Sequence, residues 1–208
     1  MTQMPALNSQ FLRGPAGRIE AIYRRVETGR VAVLCHSHPG YGGTMFDRVL
    51  HAVACALHPA GLSTLRFNLR GTGRSEGRFE GGASDAGDVQ AAIEHAARDH
   101  DDVVLVGFSF GAWLGLHVGL DDARVSRMVG LGLPVRVFDF SYLADCKKPT
   151  LVIQGEHDEW GPVAHVRSEL ERTRCDARLQ VIAGGNHFFS RTMDSLVAGV
   201  VAFAATPR

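Results

Sequence analysis

The run Val103-Val104-Leu105-Val106-Gly107-Phe108-Ser109-Phe110-Gly111-Ala112-Trp113-Leu114-Gly115 limits the possible folds more than any other stretch of the chain. Its first four residues are all apolar and mostly β-branched, so they show no polar face and suit a strand covered on both sides. A tight turn between two glycines follows, and the apolar residues after it read as a helix. A strand buried on both faces needs helices on both faces, which predicts a sheet with helices wound around it.

The rest of the chain repeats this alternation. From about Leu7 to Val26, two extended-looking runs are parted by Gly14, Pro15 and Gly17, predicting an antiparallel hairpin. Val31 to Cys35 is a second buried strand. Met45 to Leu57 places Val49, Leu50, Val53, Ala54 and Leu57 at helical spacing, and Pro59 with Gly61 stops that helix before the strand Ser63 to Phe67. A Gly-rich loop leads to a helix over about Asp85 to Arg98. Val125 to Leu133, Leu151 to Gln154 and Arg178 to Ile182 read as further strands, and about Thr192 to Ala204 as a last helix. The expected architecture is α/β: a doubly wound, mostly parallel sheet with an antiparallel N-terminal hairpin, in one domain over residues 1–208. Only about fifteen residues separate Leu133 from Thr150, which leaves no room there for a lid domain.

With 208 residues and 45% hydrophobic content, the chain can bury one sizeable core. Lys plus Arg equals Asp plus Glu at 22 each, so there is no net field to draw in nucleic acid. The start MTQMPALNSQ lacks the basic and apolar regions of a leader, and no apolar stretch nears the roughly 20 residues of a membrane helix. Cys35, Cys55, Cys146 and Cys175 form no CxxC pair and sit mostly in apolar runs, as small hydrophobes in a reducing cytoplasm would.

Gly107-Phe108-Ser109-Phe110-Gly111 has the Gly-x-Ser-x-Gly spacing of a nucleophile elbow, in which a strained turn exposes a serine between a strand and a helix. Larger residues at the two glycines would collide with the neighbouring strand and helix. A serine hydroxyl is a weak nucleophile until a base takes its proton and a carboxylate orients that base. Of ten histidines, His187 lies in the turn between the last strand and the last helix, where such a base is needed. Asp158, four residues past Gln154 and four before Pro162, is the expected acid; Glu156 and Glu159 read as solvated. Asp139 or Asp145, after the preceding strand, is the alternative acid. The amide of Phe110, following the serine, is one expected oxyanion donor. His36-x-His38 also has the spacing of a zinc pair, but no Asp-His pair follows closely to complete a metal site. No metal and no cofactor are expected.

Taken together, HSHPGYGGTMFDRV, RFNLRGTGRSEG, VGFSFG, IQGEHDEWGP and GGNHFF resemble small α/β-hydrolases without a lid, over nearly the whole chain. The resemblance implies carboxylesterase-like acyl hydrolysis. It aligns His36-Ser37-His38-Pro39 with an HG-x-P loop, Ser37 replacing the glycine, which makes the His38 amide the second oxyanion donor; Gly40 and Tyr41 are the alternatives. It also places Asn68 where Asp is usual, in a loop-shaping role. The expected partner is a small acyl ester or thioester, reached through an open site. Tyr41 and Trp160 are expected at its rim, with Phe108, Phe110 and Phe188 as further candidate lining. A peptidase or acyltransferase using the same residues, and a binding protein that has lost the chemistry, are the other readings.

Overall fold

The computed structural model describes residues 9–206. Leu7 and Asn8, at the start of the expected hairpin, and most of the amino-terminal segment inspected for a leader lie outside that range. The strands are β1 (Gln10–Gly14), β2 (Gly17–Arg24), β3 (Arg30–Cys35), β4 (Ser63–Phe67), β5 (Asp102–Phe108), β6 (Val125–Leu131), β7 (Thr150–Gly155) and β8 (Ala177–Ile182). The helices are α1 (Arg48–Leu57), α2 (Ala86–Ala96), α3 (Phe110–Asp121), α4 (Val163–Thr173) and α5 (Met193–Ala204). All eight strands join one sheet in the order β1-β2-β4-β3-β5-β6-β7-β8. β2 pairs antiparallel with β1 and β4, and every other pairing is parallel. This is the α/β-hydrolase architecture expected from the sequence.

The continuous apolar runs serve two cores at once. Val31, Val33, Val103 and Leu105 point to the side covered by α2, α3 and α4, whereas Ala32, Leu34, Val104 and Val106 point to the side covered by α1 and α5. In α1 the buried set is Val49, Leu50, Val53, Ala54 and Leu57, the five residues that the helical spacing selects. This helix begins later than Met45 because the Asp47 carboxylate caps it, accepting from the Val49 N–H.

α3 lies close against the centre of the sheet because it turns a stripe of glycines toward it. A Cβ on Gly111 would lie 2.2 Å from the Cys35 carbonyl oxygen, and one on Gly119 2.8 Å from Leu105 and Met128 side-chain atoms. β6 stops at Leu131, two residues short of the expected end. Gly132 takes a left-handed φ of 56°, which turns the chain off the sheet before Leu133. The connection from β6 to β7 carries only one short helical turn, Ser141–Asp145, so no lid domain is present there.

One buried ion cluster shapes the long loop between β4 and α2. The Arg70 guanidinium binds both oxygens of Asp88, at 3.0 and 2.9 Å, and lies 3.6 Å from Asp85. Asp85 in turn accepts from the Gly81 and Gly82 amides. These bonds hold Phe79 with its ring 5.0 Å from that of His38. Replacing Arg70 by alanine would leave two buried carboxylates without their cation, an expected loss of about 3–5 kcal/mol. Urea unfolding of the variant against wild type measures it.

Candidate active site

Ser109 sits in the turn from β5 into α3 with φ 55° and ψ −119°, a strained conformation for a residue with a Cβ. The strain is held by the Ser109 N–H, which donates to the Leu131 carbonyl on the adjoining strand. Neighbours leave no room for side chains on either side. A Cβ on Gly107 would lie 2.2 Å from the Gly111 carbonyl oxygen, and Gly111 itself is pressed on Cys35. The result lifts the serine hydroxyl to the carboxyl edge of the sheet, where open α/β sheets gather their ligands.

His187 reaches that hydroxyl from the turn between β8 and α5. The Ser109 hydroxyl donates to His187 Nε2 at 3.0 Å, and the opposite ring nitrogen, Nδ1, donates to Asp158 Oδ2 at 2.8 Å. The three residues expected from sequence therefore meet in one hydrogen-bonded chain. His187 is 4% exposed and Asp158 2% exposed, so water does not compete for their bond.

Both carboxylate oxygens of Asp158 are engaged as hydrogen-bond acceptors. Its Oδ1 accepts from the Trp160 and Gly161 amides, and its Oδ2 accepts from the Gln154 side chain as well as from His187. Gln154, the last side chain of β7, also accepts from the Leu133 N–H and donates to the Gly161 carbonyl. It fixes both loops beside Asp158. Sequence reasoning missed it, although a glutamine ending an otherwise apolar strand was a usable sign. Asp139 and Asp145 are not in this chain: Asp139 accepts from the Ser141 amide and hydroxyl, and Asp145 is exposed. Glu156 and Glu159 are exposed, as expected, and Glu156 accepts from Gly184.

The loop after β3 lies against the same turn. His38 stacks its ring edge-on to Phe110 at 5.1 Å. The Gly40 N–H donates to His38 Nδ1 and the Tyr41 N–H to the His38 carbonyl, so both alternative donors are committed within the loop. His36 is enclosed, with Nδ1 donating to the Ser37 carbonyl and Nε2 accepting from the Leu69 N–H. Nδ1 thus braces this loop and Nε2 ties it to the one after β4. Asn68, also buried, accepts from Met45 and donates to Glu20, the loop-shaping position expected of it.

Burial pushes the His36 pKa down to about 4 from an ordinary 6.5. Between those values the unfolded chain takes up a proton that the folded protein refuses. The stability from a neutral His36 is thus whole above pH 6.5 and is lost as pH falls toward 4, a swing of about 3 kcal/mol. Urea unfolding at neutral pH and near pH 4.5 should show a smaller acid loss in His36→Asn, which cannot charge.

Tyr41 is 83% exposed and Trp160 38%, and their rings lie 6.2 Å apart, with Trp160 a further 6.2 Å from His187. Phe188 is exposed beside His187, whereas Phe108 and Phe110 are core residues that support the histidine and the elbow from below.

A family described as alpha/beta hydrolase domain matches residues 30–198. A solved alpha-beta serine hydrolase homologue from Coxiella burnetii is 31% identical, with a TM-score of 0.87, covering 97% of this chain and 99% of that one. A serine hydrolase without a lid from Xanthomonas campestris is 30% identical, with a TM-score of 0.85 and full coverage of both chains. An uncharacterized protein of Rickettsia prowazekii is 29% identical over 86% of this chain and 81% of its own length. From β3 to α5, then, the match covers the elements that bring Ser109, Asp158 and His187 together, and the chain belongs to the alpha/beta hydrolase family.

Proposed function

We propose that this protein is a serine hydrolase that cleaves small carboxylic esters or thioesters through an acyl-enzyme on Ser109. The observation that carries this reading is the unbroken hydrogen-bonded path from Ser109 Oγ through the His187 ring to Asp158. His187 Nε2 takes the serine proton as Oγ attacks the acyl carbon, and Asp158 stabilises the imidazolium that results. The Phe110 amide at the start of α3 and the His38 amide face the developing oxyanion. The imidazolium then gives its proton to the departing alcohol or thiol. Water, deprotonated by the same ring, releases the acid and restores the serine.

Every proton in this cycle is moved by His187, so the proposed chemistry draws on neither metal nor cofactor. Tyr41 and Trp160 supply an apolar rim for the substrate. The open site gives water free access to the acyl-enzyme, which favours hydrolysis over transfer to another acceptor. The four cysteines are free thiols, in keeping with a reducing, cytoplasmic setting. No helix among the described residues is long and apolar enough to cross a membrane.

Turnover of acyl p-nitrophenyl esters and acyl thioesters, measured beside the matching amides, tests the proposal. Esters or thioesters hydrolysed faster than amides support it. Amides cleaved at equal or higher rates point to a peptidase, product formed only with an added alcohol points to a transferase, and no turnover points to a binding protein.

A further inference from the structure

By sequence the four cysteines lie far apart, yet the fold brings two of them to one rung of the sheet. Cys146 follows the short Ser141–Asp145 turn, and its Sγ lies 3.3 Å from Thr150 Oγ1 and 3.7 Å from the Lys148 carbonyl. Thr150 opens β7, and its partner across the ladder is Ala177, the first residue of β8. The Cys175 sulfur accepts from the Ala177 N–H, so both thiols converge on the Thr150–Ala177 pair and interact with each other. Both also pack, with Tyr142, against the same apolar cluster. This rung is at the amino ends of the strands, the edge of the sheet opposite Ser109.

Each of the two cysteines lines a surface cavity. Cys146 lines a surface cavity of about 330 Å³ with Lys148 and Arg178, and Cys175 lines a neighbouring one of about 470 Å³ with Arg167 and Arg174; Asp176 borders both. The contact with Cys175, aided by Thr150, the Lys148 backbone and the Lys148 charge, pulls the Cys146 thiol down to about 6. The Cys175 thiol is pushed up by the same contact and by burial. Cys146 is therefore the more readily ionised sulfur of the pair, which suits it to attack a peroxide and Cys175 to resolve the product.

We propose that Cys146 and Cys175 are a peroxide-reactive dithiol, with Cys146 the attacking and Cys175 the resolving residue, which closes reversibly to a disulfide joining the β6–β7 connection to the α4–β8 turn. The Cys146 thiolate attacks one oxygen of hydrogen peroxide. The O–O bond breaks, hydroxide leaves and is protonated to water, and Cys146 becomes a sulfenic acid. The Cys175 sulfur then displaces the sulfenic oxygen as its own proton is lost, forming the S–S bond and releasing a second water. Two thiols lose two electrons and one peroxide is reduced to two waters. This chemistry is independent of the acyl-transfer site.

The test is peptide mapping of the full chain carrying Cys55→Ser, which removes the exposed thiol of α1, after brief exposure to a small excess of hydrogen peroxide and quenching with iodoacetamide. Lys147 and Arg174 let trypsin separate the two cysteines. The expected product is a cross-linked pair of peptides lighter by two hydrogens than the two thiol peptides and split again by dithiothreitol. With Cys175→Ser added, dimedone should trap a sulfenic acid at Cys146; with Cys146→Ser added instead, Cys175 should stay unreacted. Both cysteines fully alkylated after peroxide, or Cys146 over-oxidised in the wild-type pair while Cys175 remains alkylated, would overturn the proposal. The cross-link in the parent protein decides the matter even if a serine variant folds poorly.

Discussion

Ser109→Ala should lower kcat for an acyl ester by roughly a million-fold, to the residual rate of a site that has lost its nucleophile. Alanine meets no new atoms at this position and carries the same backbone strain at φ 55°, so the fold should survive. His187→Ala should cost nearly as much, because the serine without a base is as inert as no serine. The double variant should then be little worse than either single one, since the two groups act as a unit. Rapid-quench or spectrophotometric assay of all three variants checks this. A Ser109→Ala enzyme within tenfold of wild type, or losses that simply multiply in the double variant, would contradict the mechanism.

Asp158→Asn should lower kcat by roughly ten-thousand-fold while KM changes little. The carboxylate accepts the proton of His187 Nδ1, which leaves Nε2 free to accept from the serine. An amide at this place can present its NH2 to the ring, and the imidazole then carries its proton on Nε2, the wrong nitrogen for a base. The Trp160, Gly161 and Gln154 donors each lose a full negative charge as partner, so a stability loss of about 1–3 kcal/mol should accompany the kinetic one. Steady-state kinetics normalised to the folded fraction, measured by circular dichroism, separates the two effects, because a merely unfolded fraction lowers the active concentration and not the turnover of what remains. Asp139→Asn, altering a carboxylate bonded only within its own turn, should leave kcat within about twofold.

The sheet was legible in the sequence because a strand buried on both faces cannot hide: Val31 to Cys35 and Val103 to Val106 are apolar throughout, whichever way each residue points. The positions of Ser109 and His187 were equally plain, since each follows a strand and precedes a helix. Asp158 was singled out among three neighbouring carboxylates by its reach, and the structure shows why it is the partner. Its backbone donors and Gln154 place it, while Glu156 and Glu159 face outward.

What local pattern could not show are contacts between residues distant in sequence whose types are common anywhere. Arg70 lies in a loop and Asp85 and Asp88 near the start of a helix, a spacing that signals nothing by itself, and only the packed loop makes them a buried cluster. Gln154 bridges two loops that no periodicity relates. Cys146 and Cys175 fell in separate segments, and the pairing of β7 with β8 is what joins them. The overshoot at Leu133 has a local cause, for the apolar pattern continues past Gly132 although the backbone has already turned away.

The most direct measurement is labelling with a fluorophosphonate, which bonds to a serine only when its hydroxyl is activated. Intact mass and peptide mapping should find one adduct, on Ser109, in the wild-type protein, and none in Ser109→Ala or His187→Ala. Folded wild-type protein that takes up no label, or label on another serine that persists in both variants, would contradict the assignment of Ser109 as a nucleophile activated by His187.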